Sequence, residues 1–411
     1  MNAAAIDSDR LAALLAAING FGRNADGGFD RPAFSPADQA VRAFFRETMA
    51  ADGLDTTVDA AGNLFGRFGP AGAAPVMVGS HLDTVPSGGA FDGALGCAAA
   101  LECVRAIRDA GLPLARPIEV VATADEEGRF GGMLGSQAIA GALPPGFAES
   151  AADAEGLRLA DAMAAAGLDV AALPRAARPP GSVRAFLELH IEQGPVLEAA
   201  GRAVGIATVV SGCTVLALDF RGRANHSGTT PMDMRHDAFV GLARLGAVLP
   251  DIAREVGTAE SRLTIGWTAL APNAPHTIAG IASCTIIVRD TDAAVIGALC
   301  DAIRARAAGI CAETGLTLAL AERSALPPVA LDAGLVRLME DQAARLGLDA
   351  MTMPSGAGHD AQTMAALCPS ALIFVPSEGG ISHAPQEFTP WPAIEKGAAL
   401  LLSSVTALAQ N

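Results

Sequence analysis

The sequence predicts an α/β protein in which a domain with a mixed central sheet flanked by helices is interrupted by a smaller ferredoxin-like α+β domain. In the first and last parts of the chain, short apolar runs of strand length alternate with helical stretches, which is typical of a sheet buried on both faces. The middle part instead has the order β-α-β-β-α-β, the signature of a small sheet that carries two helices. We therefore expect residues 1–207 and 325–411 to form one domain and residues 208–324 to be inserted into it.

In the domain formed by residues 1–207 and 325–411, each predicted helix and strand has its own sequence signal. An amphipathic helix is predicted near the N-terminus, and Ser35 with Pro36 provides the N-cap and first-turn proline of a second helix, which Gly53 ends. The apolar runs that predict strands span 75–79, 117–123, 184–189 and 371–375. Further helices are predicted near 94–110 and 335–346.

The middle part consists of four predicted strands interleaved with two predicted helices. The predicted strands span 214–221, 262–269, 283–289 and 316–321. The predicted helices lie near 236–256 and 292–314.

Composition excludes several classes of protein. The 411 residues contain 28 Lys and Arg against 44 Asp and Glu, a net charge of −16, which argues against a nucleic-acid partner. No run reaches the ~18 apolar residues of a membrane span, and Asp7 and Asp9 precede the first apolar stretch, unlike a secretory signal. The seven Cys include no C-x-x-C pair, which disfavours a disulfide framework or a thiolate zinc cluster. We expect a cytoplasmic enzyme.

Four polar, glycine-punctuated segments follow or end the predicted strands, and each contains candidate metal ligands. The first has His81 and Asp83, followed by Asp92 in a G-G-x-F-D-G loop. Imidazole and carboxylate are common ligands of first-row divalent metals, and Asp83 is placed to accept the second ring N–H of His81 and so orient it. Binding sites in α/β proteins form at the carboxyl ends of parallel strands, so we expect these segments to lie close together.

The other three segments add acids and imidazoles. Asp125, Glu126 and Glu127 follow the strand at 117–123, His190 lies in E-L-H-I-E-Q-G-P, and His383 ends S-E-G-G-I-S-H. Three adjacent acids are compatible with a solvated turn, or with one metal ligand beside a general base. Each histidine alone is compatible with a structural role.

Six ordered segments together resemble the hydantoinase/carbamoylase amidases, a branch of the dinuclear-metal aminopeptidase-like hydrolases. They are GSHLDTVPSGGAFDGALG, ADEEGRFGG, ELHIEQGP, GRANHSGTTPMDMRHDA, SGAGHDA and SHAPQEF, and they extend from Val76 to Phe388. The family includes N-carbamoyl-L-amino-acid hydrolases, allantoate and ureidoglycolate amidohydrolases, and β-ureidopropionases. The G-A-G-H-D-A run also fits a dinucleotide fingerprint, but Pro354 stands where a strand should precede it.

The resemblance implies a bimetal site and a general base. One cation would take His81 and His190, the other Glu127 and His383, with Asp92 bridging them. Zinc is the expected metal, with manganese, cobalt and nickel as alternatives. Glu126 would accept the proton of the attacking water and pass it to the leaving nitrogen.

The resemblance also implies substrate contacts and a dimer. The implied substrate-binding residues are Gln193, His226, His276, Arg289, Gly358 and His359. His226 would in addition be catalytic and would reach the active site of the partner subunit of a homodimer, which makes 208–324 a dimerisation or lid domain. His276 departs from the family pattern, which usually has Asn at this position. A guanidinium such as that of Arg289 suits a bidentate carboxylate.

The expected function is hydrolysis of the carbamoyl C–N bond of N-carbamoyl-L-amino acids to the amino acid, ammonia and carbon dioxide. Allantoate or ureidoglycolate hydrolysis is the alternative, since these reactions would use the same residues. A peptidase or N-acyl deacylase is disfavoured by His190 and Gln193. A catalytically silent binding protein is disfavoured because no ligand or base of the motif set is missing.

Overall fold

The computed structural model describes residues 4–411, so the first three residues of the predicted 1–207 segment lie outside the described residues. The chain divides into two compact units. The large unit extends to Thr208 and resumes at Ala330, and the inserted unit spans Val209–Val329.

The described α-helices are α1 (Ser8–Ile18), α2 (Pro36–Ala51), α3 (Ala94–Asp109), α4 (Leu134–Ala140), α5 (Phe147–Ser150), α6 (Leu159–Ala165), α7 (Val196–Ala199), α8 (Ala238–Val256), α9 (Ala293–Thr314), α10 (Ala333–Arg345), α11 (Asp360–Met364) and α12 (Trp391–Ala409). The described strands are β1 (Asp55–Val58), β2 (Leu64–Phe68), β3 (Val76–His81), β4 (Ile118–Thr123), β5 (Ala185–Ile191), β6 (Val204–Val210), β7 (Gly212–Arg221), β8 (Asn225–His226), β9 (Arg262–Ala271), β10 (Thr277–Ile278), β11 (Ile281–Asp290), β12 (Thr317–Leu326), β13 (Val329–Ala330), β14 (Ala350–Ser355) and β15 (Ser370–Val375). Short 3₁₀ helices span Val170–Ala176, Met232–Met234 and Glu378–Gly380.

The large unit is built on a mixed sheet, as predicted. Its strand order is β1-β2-β4-β3-β5-β15-β6-β13, and β14 pairs with β6. Strands β4, β3, β5 and β15 are mutually parallel, and β2 and β6 join them in antiparallel fashion. Every residue of these four central strands is buried, which explains why most of their residues are apolar. Their carboxyl ends therefore lie along one edge of the sheet.

Helices cover this sheet through small and apolar side chains. In α3 the buried face extends from Ala94 to Ile107, and α12 buries a similar stripe that includes Leu401. Helix α2 begins as predicted, because the Ser35 hydroxyl accepts the Asp38 N–H.

The inserted unit has the predicted β-α-β-β-α-β order. Its sheet has the strand order β12-β7-β11-β9, and all of its neighbouring strands are antiparallel. Alternate residues of β7 and β11 are buried, and α8 and α9 pack against that apolar face. A separate ribbon pairs β8 with β10. The predicted fold class is thus confirmed in both units.

The sequence predicts neither a disulfide framework nor a membrane-spanning helix. The seven cysteines of residues 4–411 are all free thiols, and six of them are buried. Between residues 4 and 411, none of the helices combines the length and the apolar character needed to cross a membrane.

Candidate metal centre

The parallel strands bring the predicted ligands to one edge of the large sheet. His81 is the last residue of β3, and His190 is the penultimate residue of β5. Strand β4 leads into Glu126 and Glu127, and β15 leads into the loop that contains His383. The predicted convergence of these four segments is therefore what the fold produces.

Asp92 divides its two carboxylate oxygens between two groups of side chains. Its Oδ1 atom lies 3.3 Å from His81 Nε2 and 3.1 Å from His190 Nε2. Its Oδ2 atom lies 3.4 Å from His383 Nε2, which is itself 3.4 Å from Glu127 Oε2. In each group the candidate ligand atoms lie within 4.8 Å of one another. The donor set therefore fits two cations that share one bridging carboxylate.

A further cluster of potential ligands, Glu188 with His190 and His359, is less suited to a cation. The Glu188 carboxylate is already engaged, since it accepts the Ser80 hydroxyl at 2.6 Å and the Ala361 N–H at 3.0 Å. Glu188 thus ties β5 to β3 and to the start of α11.

Peptide carbonyls orient the two histidines of the first group. His81 Nδ1 lies 3.0 Å from the Asp83 carbonyl oxygen, and His190 Nδ1 lies 2.9 Å from that of Ile191. Donation from Nδ1–H to these carbonyls leaves the Nε2 lone pairs directed at Asp92. The prediction that the Asp83 carboxylate accepts the His81 N–H is wrong in this detail, because that carboxylate is 4.0 Å away.

The Asp83 carboxylate instead supports the neighbouring acidic loop. Its Oδ2 atom accepts the Glu127 N–H at 3.2 Å, and its Oδ1 atom lies 3.8 Å from Arg42 Nη2. Arg42 is buried, pairs with Asp38 at 2.7 Å and donates to the Thr123 carbonyl. A buried ion pair behind the loop therefore fixes the end of β4.

The three adjacent acids have different environments. Asp125 adopts a left-handed conformation with a φ of 52°, and its Oδ2 atom accepts the Phe130 N–H at 3.1 Å, so it shapes the loop. The Oε2 atom of Glu126 lies 3.5 Å from His81 Nε2. Burial raises the pKa of Glu126 well above its usual range, and the charge of Glu127 adds to the shift against the opposing charge of His81. Glu126 is therefore a buried carboxyl group beside the ligands.

Acids and imidazoles compete for protons in this cluster. Burial would raise the pKa of Asp92, but the charge and hydrogen bond of His190, with hydrogen bonds from His383 and His81, hold it well below its usual range. Burial and the charge of Asp92 raise the pKa of Glu127 to about 7. The hydrogen bond to Asp92 raises the pKa of His383 to about 9.

Three of the predicted substrate-binding residues belong to the large unit, and two of them, Gln193 and His359, border the cluster. Gln193, at a φ of 58°, donates through Nε2 to Asp92 Oδ2 at 2.7 Å. The His359 ring packs 4.5 Å from that of His190, and its Nε2 atom is buried without a partner. Burial and the charge of His190 lower the pKa of His359 well below its usual range, so it is neutral. At Gly358 a Cβ atom would lie only 2.4 Å from the Met133 side chain.

The other predicted substrate residues belong to the inserted unit. His226 ends β8 and His276 directly precedes β10; both are exposed, and the Ser227 N–H donates to the His276 carbonyl at 3.0 Å. His226 Nδ1 accepts two backbone N–H groups, those of Gly228 at 3.0 Å and Thr229 at 3.2 Å. A neutral His226 must therefore carry its proton on Nε2. Arg289 lies on the half-exposed face of β11.

Sequence reasoning gave no role to two acids that contact the ligand-bearing segments. They are Glu188, described above, and Glu387, which accepts the backbone N–H of Asp92 at 3.0 Å. Glu387 stands in the S-H-A-P-Q-E-F motif, but its contact joins positions almost 300 residues apart. Its place near the end of that motif is the one sign of a role that the sequence carries.

Comparison with known proteins gives consistent matches. The profile of peptidase family M20/M25/M40 matches residues 77–407. The chain is 39% identical over 411 residues to an N-carbamoyl-L-amino acid amidohydrolase of Geobacillus stearothermophilus, covering 99% of this chain and 100% of that protein. It is 36% identical over 389 residues to the allantoate amidohydrolase of Escherichia coli, covering 93% and 94%. A crystal structure of a hydantoinase/carbamoylase family amidase from Burkholderia multivorans matches with a TM-score of 0.91 at 34% identity, covering 99% of both chains.

Proposed function

Because this chain belongs to peptidase family M20/M25/M40, and within it to the hydantoinase/carbamoylase amidases, we propose that it cleaves the carbamoyl C–N bond of N-carbamoyl-L-amino acids. The products are the amino acid, ammonia and carbon dioxide. The observation that carries the proposal is the divided Asp92 carboxylate, with two ligand groups on its two oxygens and Glu126 beside them.

The residues present fit two divalent cations. His81 and His190 would bind one cation, and Glu127 and His383 would bind the other. Asp92 would be a ligand of both cations. Zinc suits this set of nitrogen and oxygen donors, and manganese, cobalt and nickel are the alternatives. When bound, the cations supply Lewis acidity that polarises the substrate carbonyl and lowers the pKa of a water molecule.

Glu126 is the proposed general base. It takes a proton from the attacking water and passes it to the leaving nitrogen. Both transfers need one carboxyl group that can gain and lose a proton near neutral pH. Its burial, which raises its pKa, suits that task. The carbonyl-bound Nδ1–H groups of His81 and His190 keep their rings oriented toward Asp92 throughout.

The proposed substrate contacts come from both units. In the large unit, Gln193, Gly358 and His359 would contact the substrate, and the buried Nε2 atom of His359, which has no partner, can hydrogen-bond to a ureido group. In the inserted unit, the guanidinium of Arg289 would bind the substrate carboxylate, and His276 would be a further substrate contact. His226 would donate from Nε2–H to the oxygen that gains negative charge in the transition state.

A substrate panel tests the proposed activity. Ammonia release would be compared for N-carbamoyl-L-amino acids, N-carbamoyl-β-alanine, allantoate and ureidoglycolate, with dipeptides and N-acetyl-amino acids as controls. We expect the highest kcat/KM for an N-carbamoyl-L-amino acid. Allantoate is the second candidate, because of the 36% identity to an allantoate amidohydrolase. Faster cleavage of a peptide or acetyl bond would refute both.

Glu126→Gln separates the chemistry from metal binding. We expect kcat to fall by roughly 10²–10⁴-fold, the usual contribution of a general base, while both cations stay bound. Wild-type turnover by the metal-loaded variant would show that another group is the base.

A mixing experiment tests whether His226 acts in the partner subunit of a homodimer. His226→Ala and Glu126→Gln would be inactive alone. Random exchange of subunits would give heterodimers in half of the population, each with one intact site, and so about a quarter of wild-type activity. No recovery on mixing, with subunit exchange verified, would place His226 in its own subunit's site.

A further inference from the structure

Glu387 lies between the two loops that carry Asp92 and His383. Its Oε1 atom accepts the backbone N–H groups of Phe91 at 2.9 Å and of Asp92 at 3.0 Å. Its Oε2 atom accepts the Ser382 hydroxyl at 2.9 Å. Glu387 is 4% exposed, so these contacts are shielded from water.

The glycine-rich loop before Asp92 is shaped around this carboxyl group. A Cβ atom at Gly89 would lie 2.1 Å from both Cδ and Oε1 of Glu387. The carboxyl group therefore occupies the space that a side chain at this position would need, and it packs directly on the backbone.

Ser382 links the same carboxylate to the bridging ligand. Its hydroxyl lies 3.2 Å from Asp92 Oδ2 as well as 2.9 Å from Glu387 Oε2, and it has one proton for the two acceptors. Asp92 is thus held at its backbone by Glu387 directly and at its Oδ2 atom through Ser382.

The contacts of Glu387 support the two ligand groups to different extents. His81 and His190 are oriented by the backbone carbonyls of Asp83 and Ile191 rather than by Glu387. His383 directly follows Ser382, and Asp92 Oδ2 is the oxygen that faces His383. Loss of the Glu387 contacts should therefore disturb the second ligand group more than the first.

We propose that Glu387 is a positioning residue that sets the affinity of the cation held by Glu127 and His383, by fixing the bridging Asp92 and the Ser382–His383 segment relative to each other. The inference rests on the proposed metal site and not on the identity of the substrate. Residues that support metal ligands in this way usually change affinity by about 10–100-fold when replaced.

Glu387→Gln is the main test, because the amide keeps the shape and one acceptor oxygen but removes the charge. The metal-free protein would be titrated with Zn²⁺ against a chromophoric chelator, and the Co²⁺ form would be followed by its visible absorption. We expect one cation to bind about 10–100-fold more weakly, with an altered Co²⁺ spectrum, and the other to change by less than about threefold.

Two further variants make the test specific. Ser382→Ala should weaken the same cation, by a smaller factor, and it leaves Glu387 in place if Glu387→Gln folds poorly. Asp290→Asn is the matched control, since this buried carboxylate accepts the hydroxyls of Ser261 at 2.5 Å and Thr258 at 2.7 Å in the inserted unit. It should leave both affinities unchanged.

The proposal is overturned if Glu387→Gln and Ser382→Ala bind both cations within about twofold of the wild type, if both cations weaken equally, or if the control weakens them as much. It is also overturned if the wild type binds no second cation. A two-cation titration with the expected loss, in a protein that hydrolyses no ureido compound, would support this role and refute the proposed substrate class.

Discussion

Removal of the cations should make the stability of the protein fall as the pH rises from 5 to 8. In the folded, metal-free protein, burial and the charge of Asp92 raise the pKa of Glu127 from 4.5 to about 7. A carboxyl group with a higher pKa in the folded state holds its proton more tightly there than in the unfolded chain. Its contribution to stability is therefore fully present below pH 4.5 and is lost as the pH rises through about 7.

The size of this effect follows from the pKa difference. At about 1.4 kcal/mol for each pKa unit, the Glu127 contribution is on the order of 3 kcal/mol. Burial would lower the pKa values of His81 and His190, but the charges of Glu126 and Asp92 raise them, so their contributions are also lost at high pH. For a large unit of roughly 290 residues, with an unfolding entropy near 0.6 kcal/mol/K, 3 kcal/mol corresponds to about 5 °C in Tm.

Buried His359 contributes with the opposite sign. Its pKa is lowered by burial and by the charge of His190, so it destabilises the folded state below pH 6.5, where the unfolded chain binds the proton. His359 reduces the expected difference in stability between low and high pH but does not reverse it, because His81, His190 and Glu127 all act in the other direction.

The assay is calorimetry of chelator-dialysed protein at pH 5 and pH 8 and constant ionic strength. We expect Tm to be about 5 °C lower at pH 8, and Glu127→Gln should reduce this difference. With zinc added the trend should reverse, because the ligands must lose protons to bind the metal. A metal-free Tm that is constant or higher at pH 8 would refute the assigned pKa directions.

Three other predictions concern single positions. Arg42→Met should cost about 3–5 kcal/mol in the free energy of unfolding, because it leaves Asp38 buried and unpaired; chemical denaturation measures this, and a loss below 1 kcal/mol would contradict it. Gly79→Ala should prevent folding or expression, since its Cβ would lie 1.9 Å from a carbonyl oxygen of β4; a soluble variant with a wild-type Tm would contradict this. His226→Gln should retain at least about tenfold more kcat than His226→Asn, because only Gln reaches the Nε2 donor position; the reverse order would refute the assigned tautomer.

The sequence predicts most of the fold because burial leaves a strong pattern. Strands β3, β4, β5 and β15 are buried throughout and were predicted within two residues. Strand β1 was missed, since Asp55–Val58 is mostly exposed and has no apolar run. The two residues of β13 are too short to leave any periodic signal.

For the site, sequence identifies the groups but not their hydrogen bonds. The candidate ligands stand out because acids and histidines lie at the ends of mostly apolar strands or in the polar segments that follow them. The sequence predicts the Asp83 carboxylate as the acceptor for the His81 N–H, whereas the carbonyl oxygen of the same residue is nearer. The Glu387 contacts depend on two loops that are far apart in the chain, so only the folded structure reveals them.

The place where the inserted unit joins the sheet has a consequence for the order of folding. The chain leaves the large unit at Thr208, and the Leu331 N–H donates to the Thr208 carbonyl at 3.0 Å directly after it returns. Closing a disordered loop of roughly 120 residues between these points would cost about 4 kcal/mol in chain entropy. Within the inserted unit, a Cβ at Gly212 would lie 2.7 Å from the Pro328 nitrogen, so its two ends are already adjacent.

If the inserted unit folds first, most of this entropic cost is removed. Its folding also brings β6 and β13 together before β14 and β15 join the large sheet. We expect pulse-labelling hydrogen exchange to show protection in α9 and β11 before β15, and the opposite order would refute this sequence of events. On this view the insertion acts as a folding template that joins two distant parts of the chain into one catalytic scaffold.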